Sequence, residues 1–265
     1  MRKLAFLLLS ISFVFGSIAQ NSNVFGSDLM ALGLATTAYH HSQQHFANPA
    51  GTAQVSELTI GATYQNRYNI KEITSKGVYA LLPIKNNVFG LSTTLFGYSL
   101  YQEQQFKLSY SKALNDKLSI GISSSGSTIQ SQDFRSNISF SASAGFIYQL
   151  QKSIQLGLNI NNLQNTFDDF QTNPTIVNFG LAFLSGDNVQ ILTALEQDFS
   201  KTLLFKAGVE YQPTKQVFLR AGVKSAPGQI YVGSSFLLGT LNIGTAFTMH
   251  PILGLNSEYT LSYAL

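Results

Sequence analysis

Cysteine is absent from the 265 residues, and so is tryptophan. Without cysteine the chain forms no disulfide and offers no thiolate to a metal ion. Charged residues make up only 11% of the chain, against about 25% in an ordinary soluble domain. A soluble surface depends on charge, so this composition argues against a soluble protein. The formal net charge is +3 and no basic run occurs, so we expect no nucleic-acid partner.

The first residues have the order typical of a secretory signal peptide. Arg2 and Lys3 give a positive start, residues 4–15 are mainly apolar, and residues 16–19 are mostly small. A signal peptidase recognises this order, and the apolar stretch is too short for a membrane-spanning helix. We therefore predict a signal peptide over residues 1–19, cleaved after Ala19, and export of the rest.

Long hydrophobic runs are also missing after residue 19, where none approaches the roughly 20 residues of a membrane helix. Instead, a period of two extends from about Val55 to the end. Within residues 138–150, apolar or small side chains alternate with Ser, Gly and Gln, and Ile147 is the one break. This run of about thirteen residues exceeds the usual soluble strand of about five or six. It suits a tilted strand that crosses a bilayer in roughly 9–11 residues.

The same alternation recurs along the chain and predicts about fourteen strands. They start near residues 56, 76, 88, 105, 117, 137, 154, 175, 189, 203, 217, 230, 241 and 255. Short connections alternate with longer ones at 66–75, 124–136, 161–174 and 196–202. Outer-membrane barrels have short turns on the periplasmic rim and longer loops on the other. In the last strand, Leu255, Tyr259, Leu261, Tyr263 and Leu265 share one face, which resembles the signal read by the bacterial barrel-assembly machinery.

We predict an all-β fold in the bacterial outer membrane: a transmembrane antiparallel β-barrel over residues 55–265, with lipid as its outer partner. An exported soluble β-sandwich would also alternate, because one face of each strand meets a core. Its outer faces should carry Lys, Glu and Arg. The polar faces of this chain are dominated by Ser, Asn, Gln and Gly.

Residues 20–54 precede the barrel and lack the period of two. Leu29 to Ala35 predict a short helix, and a stretch rich in His and Gln follows. Pro49 then removes a backbone donor and holds Asn48 extended, which gives a fixed bend. The Asn-Pro pair is equally compatible with a simple turn into the first strand.

One short motif in this stretch resembles a known group of barrels. Leu32, Gly33, Ala35, Ala38 and Asn48-Pro49-Ala50-Gly51 are similar to a segment of the FadL-type fatty-acid channels and of the PorV/PorQ proteins of Bacteroidetes. The resemblance implies a fourteen-stranded barrel and a hatch-like plug formed by residues 20–54. It also implies that Asn48, Pro49, Ala50 and Gly51 lie inside the lumen and close it from the periplasmic side.

The resemblance implies two functions. The first is a PorV/PorQ-type accessory of the type IX secretion system that binds partner proteins at the membrane, and the short loops favour it. The alternative is a FadL-like passive channel for small hydrophobic compounds. Its ligand would occupy a lumen lined by Phe and Leu and leave laterally through the wall.

Four charged residues lie on the polar faces of two neighbouring predicted strands: Lys206, Glu210, Arg220 and Lys224. They would either set charge selectivity in the lumen or pair off as a structural ladder, and we favour the ladder. Glycines also recur within the predicted strands, where we expect them to permit sharp curvature of the barrel. They are Gly157, Gly180, Gly208, Gly222 and Gly244.

The histidines raise the question of a metal or catalytic site. On a helix, His41 and His45 would share a face as zinc ligands do, but no third ligand accompanies them or His40. We expect them to hydrogen-bond in a polar lumen instead. His250 lies in the last loop, and three acidic residues lie near other predicted loops: Asp168, Asp169 and Asp198. Their spacing in the sequence indicates no catalytic triad. We predict no catalytic residue, no metal and no cofactor.

Overall fold

The computed structural model describes residues 25–131, 137–165, 174–186, 188–198 and 202–265. The predicted signal peptide lies outside the described residues and stays a prediction. Asp168 and Asp169 lie outside them as well. Within the described ranges, no helix is both long enough and apolar enough to cross a membrane.

Strands with alternating inner and outer side chains make up most of the described chain. They are β1 (Thr59–Asn66), β2 (Thr74–Ile84), β3 (Asn87–Tyr98), β4 (Tyr101–Asn115), β5 (Leu118–Ser131), β6 (Asn137–Gln151), β7 (Ile154–Asn165), β8 (Ile176–Ser185), β9 (Val189–Asp198), β10 (Leu204–Thr214), β11 (Val217–Lys224), β12 (Gln229–Leu238), β13 (Leu241–His250) and β14 (Gly254–Ala264). A short 3₁₀ helix, Lys71–Ile73, lies between β1 and β2.

The strands form a closed antiparallel barrel. Each strand pairs with its neighbour along the chain, and β1 completes the ring by pairing with β14. At this closure Ile60 lies opposite Tyr263, and both side chains are exposed on the outside. Closure gives every wall strand a partner on both sides, which a membrane barrel requires because lipid offers no hydrogen bonds. The predicted all-β antiparallel barrel of about fourteen strands is confirmed.

Strand β6 shows how the sequence produces this wall. Ile138, Phe140 and Leu150 are at least half exposed on the outer face, whereas Ser143 is buried on the inner face. Ile147, which breaks the sequence pattern, is a buried inner-face residue. Large apolar side chains are exposed in the same way on strands all around the ring. An apolar exterior on a closed barrel is matched to lipid rather than to water.

Two predicted connections are wrong. The predicted loop 124–136 is largely strand, because β5 continues to Ser131 and Ser127 pairs with Gln105 of β4. Cross-strand pairing there overrides the loop-like composition of a Ser- and Gly-rich stretch. Strand β4 starts at Tyr101 rather than near residue 105, so only residues 99–100 connect β3 to β4. The other strand starts lie within three residues of the predicted positions.

Residues 25–53, here called the N-terminal segment, form short helices, and none of these residues is exposed. The α-helix α1 spans Ser27–Ala31, and 3₁₀ helices span Ser42–Phe46 and Pro49–Thr52. The predicted helix over Leu29–Ala35 is therefore shifted and shortened. Gly33 and Leu34 have φ angles of 63° and 61°, and this left-handed backbone cannot continue a helix.

Candidate functional site

The N-terminal segment lies against the inner faces of strands on opposite sides of the barrel. Helix α1 contacts β11, β12, β13 and β14, whereas the 3₁₀ helix Pro49–Thr52 contacts β4, β5 and β6. Apolar packing adds contacts with two further strands. Leu29 and Leu32 cluster with Leu192 of β9, and Phe46 clusters with Tyr79 of β2. A segment held on both sides in this way occupies the lumen.

Glycines in the wall allow the segment's backbone to approach closely. Gly157 of β7 faces the carbonyl of Thr37, and a Cβ built on Gly157 would lie 2.3 Å from that oxygen. A Cβ on Gly222 of β11 would lie 2.3 Å from the amide nitrogen of Gly33. These distances are far below van der Waals contact, so a side chain there would displace the segment. These contacts give the glycines a steric role, and their expected role in curvature stays a prediction.

Residues 48–51 are buried against the inner wall rather than forming a simple turn into β1, which starts at Thr59; their role as a hatch stays a prediction. Asn48 is fully buried, its Nδ2 donates to the carbonyl of Thr37 at 2.7 Å, and its Oδ1 accepts from Ala50 N at 3.1 Å. Pro49 begins the following 3₁₀ helix, where its missing N–H costs nothing. Pro49 and Ala50 lie against Gly121 of β5. The motif therefore connects two turns of the segment and packs them on the wall.

A charged cluster anchors α1 to the opposite wall. Arg220 Nη1 donates to Asp28 Oδ1 at 2.8 Å, and Arg220 Nε donates to Glu210 Oε2 at 2.6 Å. Tyr39 OH donates to the same Glu210 oxygen at 2.7 Å, and His41 Nε2 lies 3.2 Å from Asp28 Oδ2. Burial by itself would raise the pKa of Asp28, but Arg220 and His41 outweigh burial and hold the pKa well below its ordinary value.

Glu210 and Arg220 were predicted on neighbouring strands, and they are directly paired in the β10–β11 register. Asp28, the carboxylate that joins this pair to the segment, was not predicted. The predicted Lys206 instead donates to Glu196 Oε2 of β9 at 2.6 Å. Lys224 lies opposite Lys206 in the register, and it is buried and partnered as well. The four charges therefore lie inside the barrel, each with a partner, and a single ladder of all four stays a prediction.

The histidines of the segment form hydrogen bonds. His45 Nδ1 lies 2.7 Å from Ser109 Oγ and Nε2 lies 2.8 Å from Ser92 Oγ, so its ring bridges β4 and β3. Burial, with a smaller effect of Lys107, lowers the pKa of His45 to about 3. The described residues include no group of three His, Cys, Asp or Glu side chains able to hold a metal ion.

Two of the residues considered for catalysis, His250 and Asp198, lie within the described part of the chain. His250 Nδ1 accepts from the backbone N–H groups of Ile252 and Leu253, at 3.2 Å and 3.1 Å, and so organises the turn between β13 and β14. Asp198 is buried near the end of β9. The prediction that the protein is not an enzyme stays a prediction.

A chamber opens between the N-terminal segment and the rim that carries the longer loops. Its cavity volume is about 100 Å³, and it is partly continuous with solvent. Its floor includes Leu34, Thr36, Phe46 and Asn48 of the segment. The wall around it carries Gln, Ser and Asn side chains together with Lys107, Lys206 and Glu196.

The expected Phe and Leu lining is represented by Phe46 and Leu34 of the segment, and the rest of the described lining is mainly polar. Of the described residues that line the chamber, four are apolar, namely Leu34, Phe46, Ala47 and Ile176, and the other thirteen are polar or charged. Most large apolar side chains of the strands face outward to lipid, whereas Tyr79, Ile147 and Leu192 are buried on the inner side. Neighbouring strands in the ring are hydrogen-bonded to each other, and the expected lateral exit stays a prediction.

A closed barrel of fourteen strands that holds its own N-terminal segment in the lumen can be compared with known structures. The fold is that of the FadL-type outer-membrane channels. The toluene transporter TbuX of Ralstonia pickettii superposes with a TM-score of 0.70 at 11% identity, over 92% of this chain and 99% of that one. The toluene transporter TodX of Pseudomonas putida gives 0.68 at 10% identity, over 95% and 98% of the two chains.

A FadL homologue from Pseudomonas aeruginosa gives a TM-score of 0.63 at 11% identity, over 91% of this chain and 98% of the other. At such low identity the likeness concerns the fold. No protein-family model and no curated protein matches the sequence. Together with the lipid-facing exterior, the fold confirms the predicted bacterial outer-membrane location.

Proposed function

We propose that this protein is a FadL-like passive channel of the outer membrane that admits a small compound into its lumen. In this proposal the N-terminal segment is the hatch, and the chamber above it is the vestibule that a solute enters first. The observation that supports the proposal most is the position of the segment, which packs against strands on opposite sides of the barrel and leaves a chamber lined by residues beside a longer connection, such as Asn162 and Ile176.

A small hydrophobic compound is the cargo that the comparisons favour, because two of the similar structures are toluene transporters. Such a compound would cross a chamber of mostly polar lining. We therefore expect weak binding and fast passage rather than storage, since apolar surface gains little from a polar wall.

Uptake measurements test the channel. Labelled toluene and a labelled fatty acid are offered to cells with the gene intact, deleted, and restored. We expect slower uptake of at least one compound in the deletion strain and recovery on restoration. Uptake that is the same in all three strains would overturn the channel proposal.

A second candidate is the PorV/PorQ-type accessory of the type IX secretion system, with secretion proteins as partners. The observation that favours it is the filled lumen, in which buried ion pairs and hydrogen bonds hold the segment. A barrel whose lumen is filled in this way suits a role in which its outer surface binds partner proteins and conduction is incidental. The same three strains test it, because an accessory role requires a loss of cargo export on deletion. Unchanged export would exclude this candidate.

A further inference from the structure

Lys107 of β4 is a buried ammonium group without a carboxylate partner. It is 8% exposed and lines the chamber. Its Nζ donates to the carbonyl of Phe46 at 3.5 Å, which is a long and weak hydrogen bond. Among the described residues no Asp or Glu forms an ion pair with it. Burying a cation without a charged partner costs free energy unless an anion or a water molecule contacts it.

Asn159 of β7 presents an unused acceptor in the same chamber. Its Nδ2 donates to the carbonyl of Ala47 at 3.2 Å. Because a carbonyl only accepts, this bond fixes the orientation of the amide and leaves Oδ1 free. The Oδ1 atom is buried and has no hydrogen-bond partner. Buried polar atoms without partners are rare in folded proteins and call for an explanation.

The two groups flank the same short stretch of the segment. Lys107 contacts the carbonyl of Phe46 and Asn159 contacts the carbonyl of Ala47, which is the next residue. Both groups also line the same chamber, so a small molecule held in it lies next to this stretch of the segment. The remaining charges of the chamber are Lys206 and Glu196, which pair with each other. Among the described residues, the lining carries two cations and one anion, a formal excess of +1.

We propose that Lys107 and Asn159 form a binding site for a small hydrophilic carboxylate that also carries a hydroxyl group. The carboxylate accepts hydrogen bonds from the Lys107 ammonium, and the hydroxyl donates to Asn159 Oδ1. A charge-assisted bond in a confined polar site is stronger than a neutral one. The site requires only that the chamber be open to solvent, so it stands whether or not the barrel conducts hydrophobic compounds.

Titration calorimetry on the full-length protein in detergent micelles and chloride-free buffer tests the site. The probes are lactate, lactamide, which keeps the hydroxyl but lacks the charge, and propionate, which keeps the charge but lacks the hydroxyl. We expect lactate to bind at least tenfold more tightly than lactamide, a difference of about 1.4 kcal/mol, and more tightly than propionate.

The decisive variant is Lys107→Met, which keeps the length of the side chain and removes the charge. It should weaken lactate binding at least tenfold. Lys112→Met is the matched control, because Lys112 lies on the same strand but does not line the chamber, and it should bind lactate as the wild type does. Asn159→Ala should reduce lactate affinity to that of propionate while leaving propionate binding unchanged. Thermal unfolding of each variant verifies that the barrel is formed.

Equal affinity for lactate and lactamide, unchanged binding by Lys107→Met, or no lactate binding by the wild type would each overturn the proposed site. The binding measurements test the site separately from the channel proposal. Lactate binding without any uptake of toluene or fatty acid would support the site and overturn the channel. Uptake of toluene or fatty acid without lactate binding would support the channel and overturn the proposed site.

Discussion

At the scale of single residues, Arg220 holds the N-terminal segment to the wall. It is 5% exposed and contacts Asp28 of the segment, Glu210 of β10 and Ser235 of β12. A buried charge is tolerated when it is paired and hydrogen-bonded, whereas removal of one partner leaves the other uncompensated.

The variant Arg220→Met should therefore destabilise the protein. It leaves Asp28 and Glu210 without their cation in a buried site, and we expect a loss of about 3–5 kcal/mol in the free energy of unfolding. Urea titration in detergent micelles measures it. The control is Lys215→Met in the exposed turn between β10 and β11, which should stay within about 0.5 kcal/mol of the wild type. A similarly small change in Arg220→Met would contradict the anchoring role.

His45 should make stability depend on pH. Its pKa is lowered from 6.5 to about 3 in the folded protein, so the unfolded state binds the proton more readily between these values. Stability then rises with pH through this window and is lost as pH falls below about 6.5. The neighbouring Lys107 acts in the same direction, because a second cation opposes protonation of His45. Ser92 and Ser109, which contact the ring, do not titrate in this range.

Thermal unfolding between pH 7 and pH 4 measures this dependence. His45→Gln keeps a donor and an acceptor for the two serines but does not titrate. We expect a smaller fall of Tm with acidification in this variant than in the wild type. Parallel curves for the two proteins would show that His45 does not carry the effect.

At the scale of elements, the N-terminal segment and the inner wall are sterically complementary. Gly208 and Gly222 are cross-strand partners on β10 and β11, and each would place a Cβ less than 3.0 Å from the segment's backbone. Gly157 and Gly180 are likewise partners, on β7 and β8, and both lie against Thr37. Paired glycines form shallow grooves in the inner wall, into which the segment fits.

Gly157→Ala tests this fit with a single methyl group. The added Cβ would meet the carbonyl of Thr37, so we expect a loss of about 1–3 kcal/mol, as in other overpacked sites. Faster proteolysis of the segment should accompany it. In the matched control Gly126→Ala, the methyl meets only the ring of Phe140 at 3.3 Å, and a small effect is expected. Equal effects of the two substitutions would argue against a steric role of the grooves.

At the scale of the whole molecule, the barrel and the segment have separable tasks. The ring of strands has continuous hydrogen bonding and an apolar exterior, which suits the barrel to lipid without any help from the lumen. The segment supplies much of the buried apolar interior, in clusters around Leu29, Phe46 and Met30. Removal of the segment should therefore alter conduction more than barrel formation.

Deletion of residues 25–53 provides this test. In planar lipid bilayers we expect the intact protein to conduct little and the deletion variant to form a stable, wide pore. Circular dichroism should show the same β content for both proteins. A deletion variant with the conductance of the intact protein would show that the segment does not close the lumen.

Much of the barrel was predictable because a period of two in side-chain polarity directly encodes which face meets lipid. The face of β6 that begins with Ile138 and Phe140 is the outer one, as its apolar character indicates. The short connections mark one rim for the same local reason, since turns are built from adjacent residues. The stretch around Ser127 was not predictable, because its strand exists through pairing with β4.

The candidate site depends on contacts that no local pattern contains. Asp28 and Arg220 are separated by 192 positions and Phe46 and Lys107 by 61, yet each pair is in contact. Alternation alone tells that Lys107 and Asn159 face inward, but not that a carbonyl of the segment lies beside each of them. The sequence thus determines the wall, because each strand carries its own two faces. Folding of the segment into the lumen decides which inward groups pair with each other and which remain free to bind a solute.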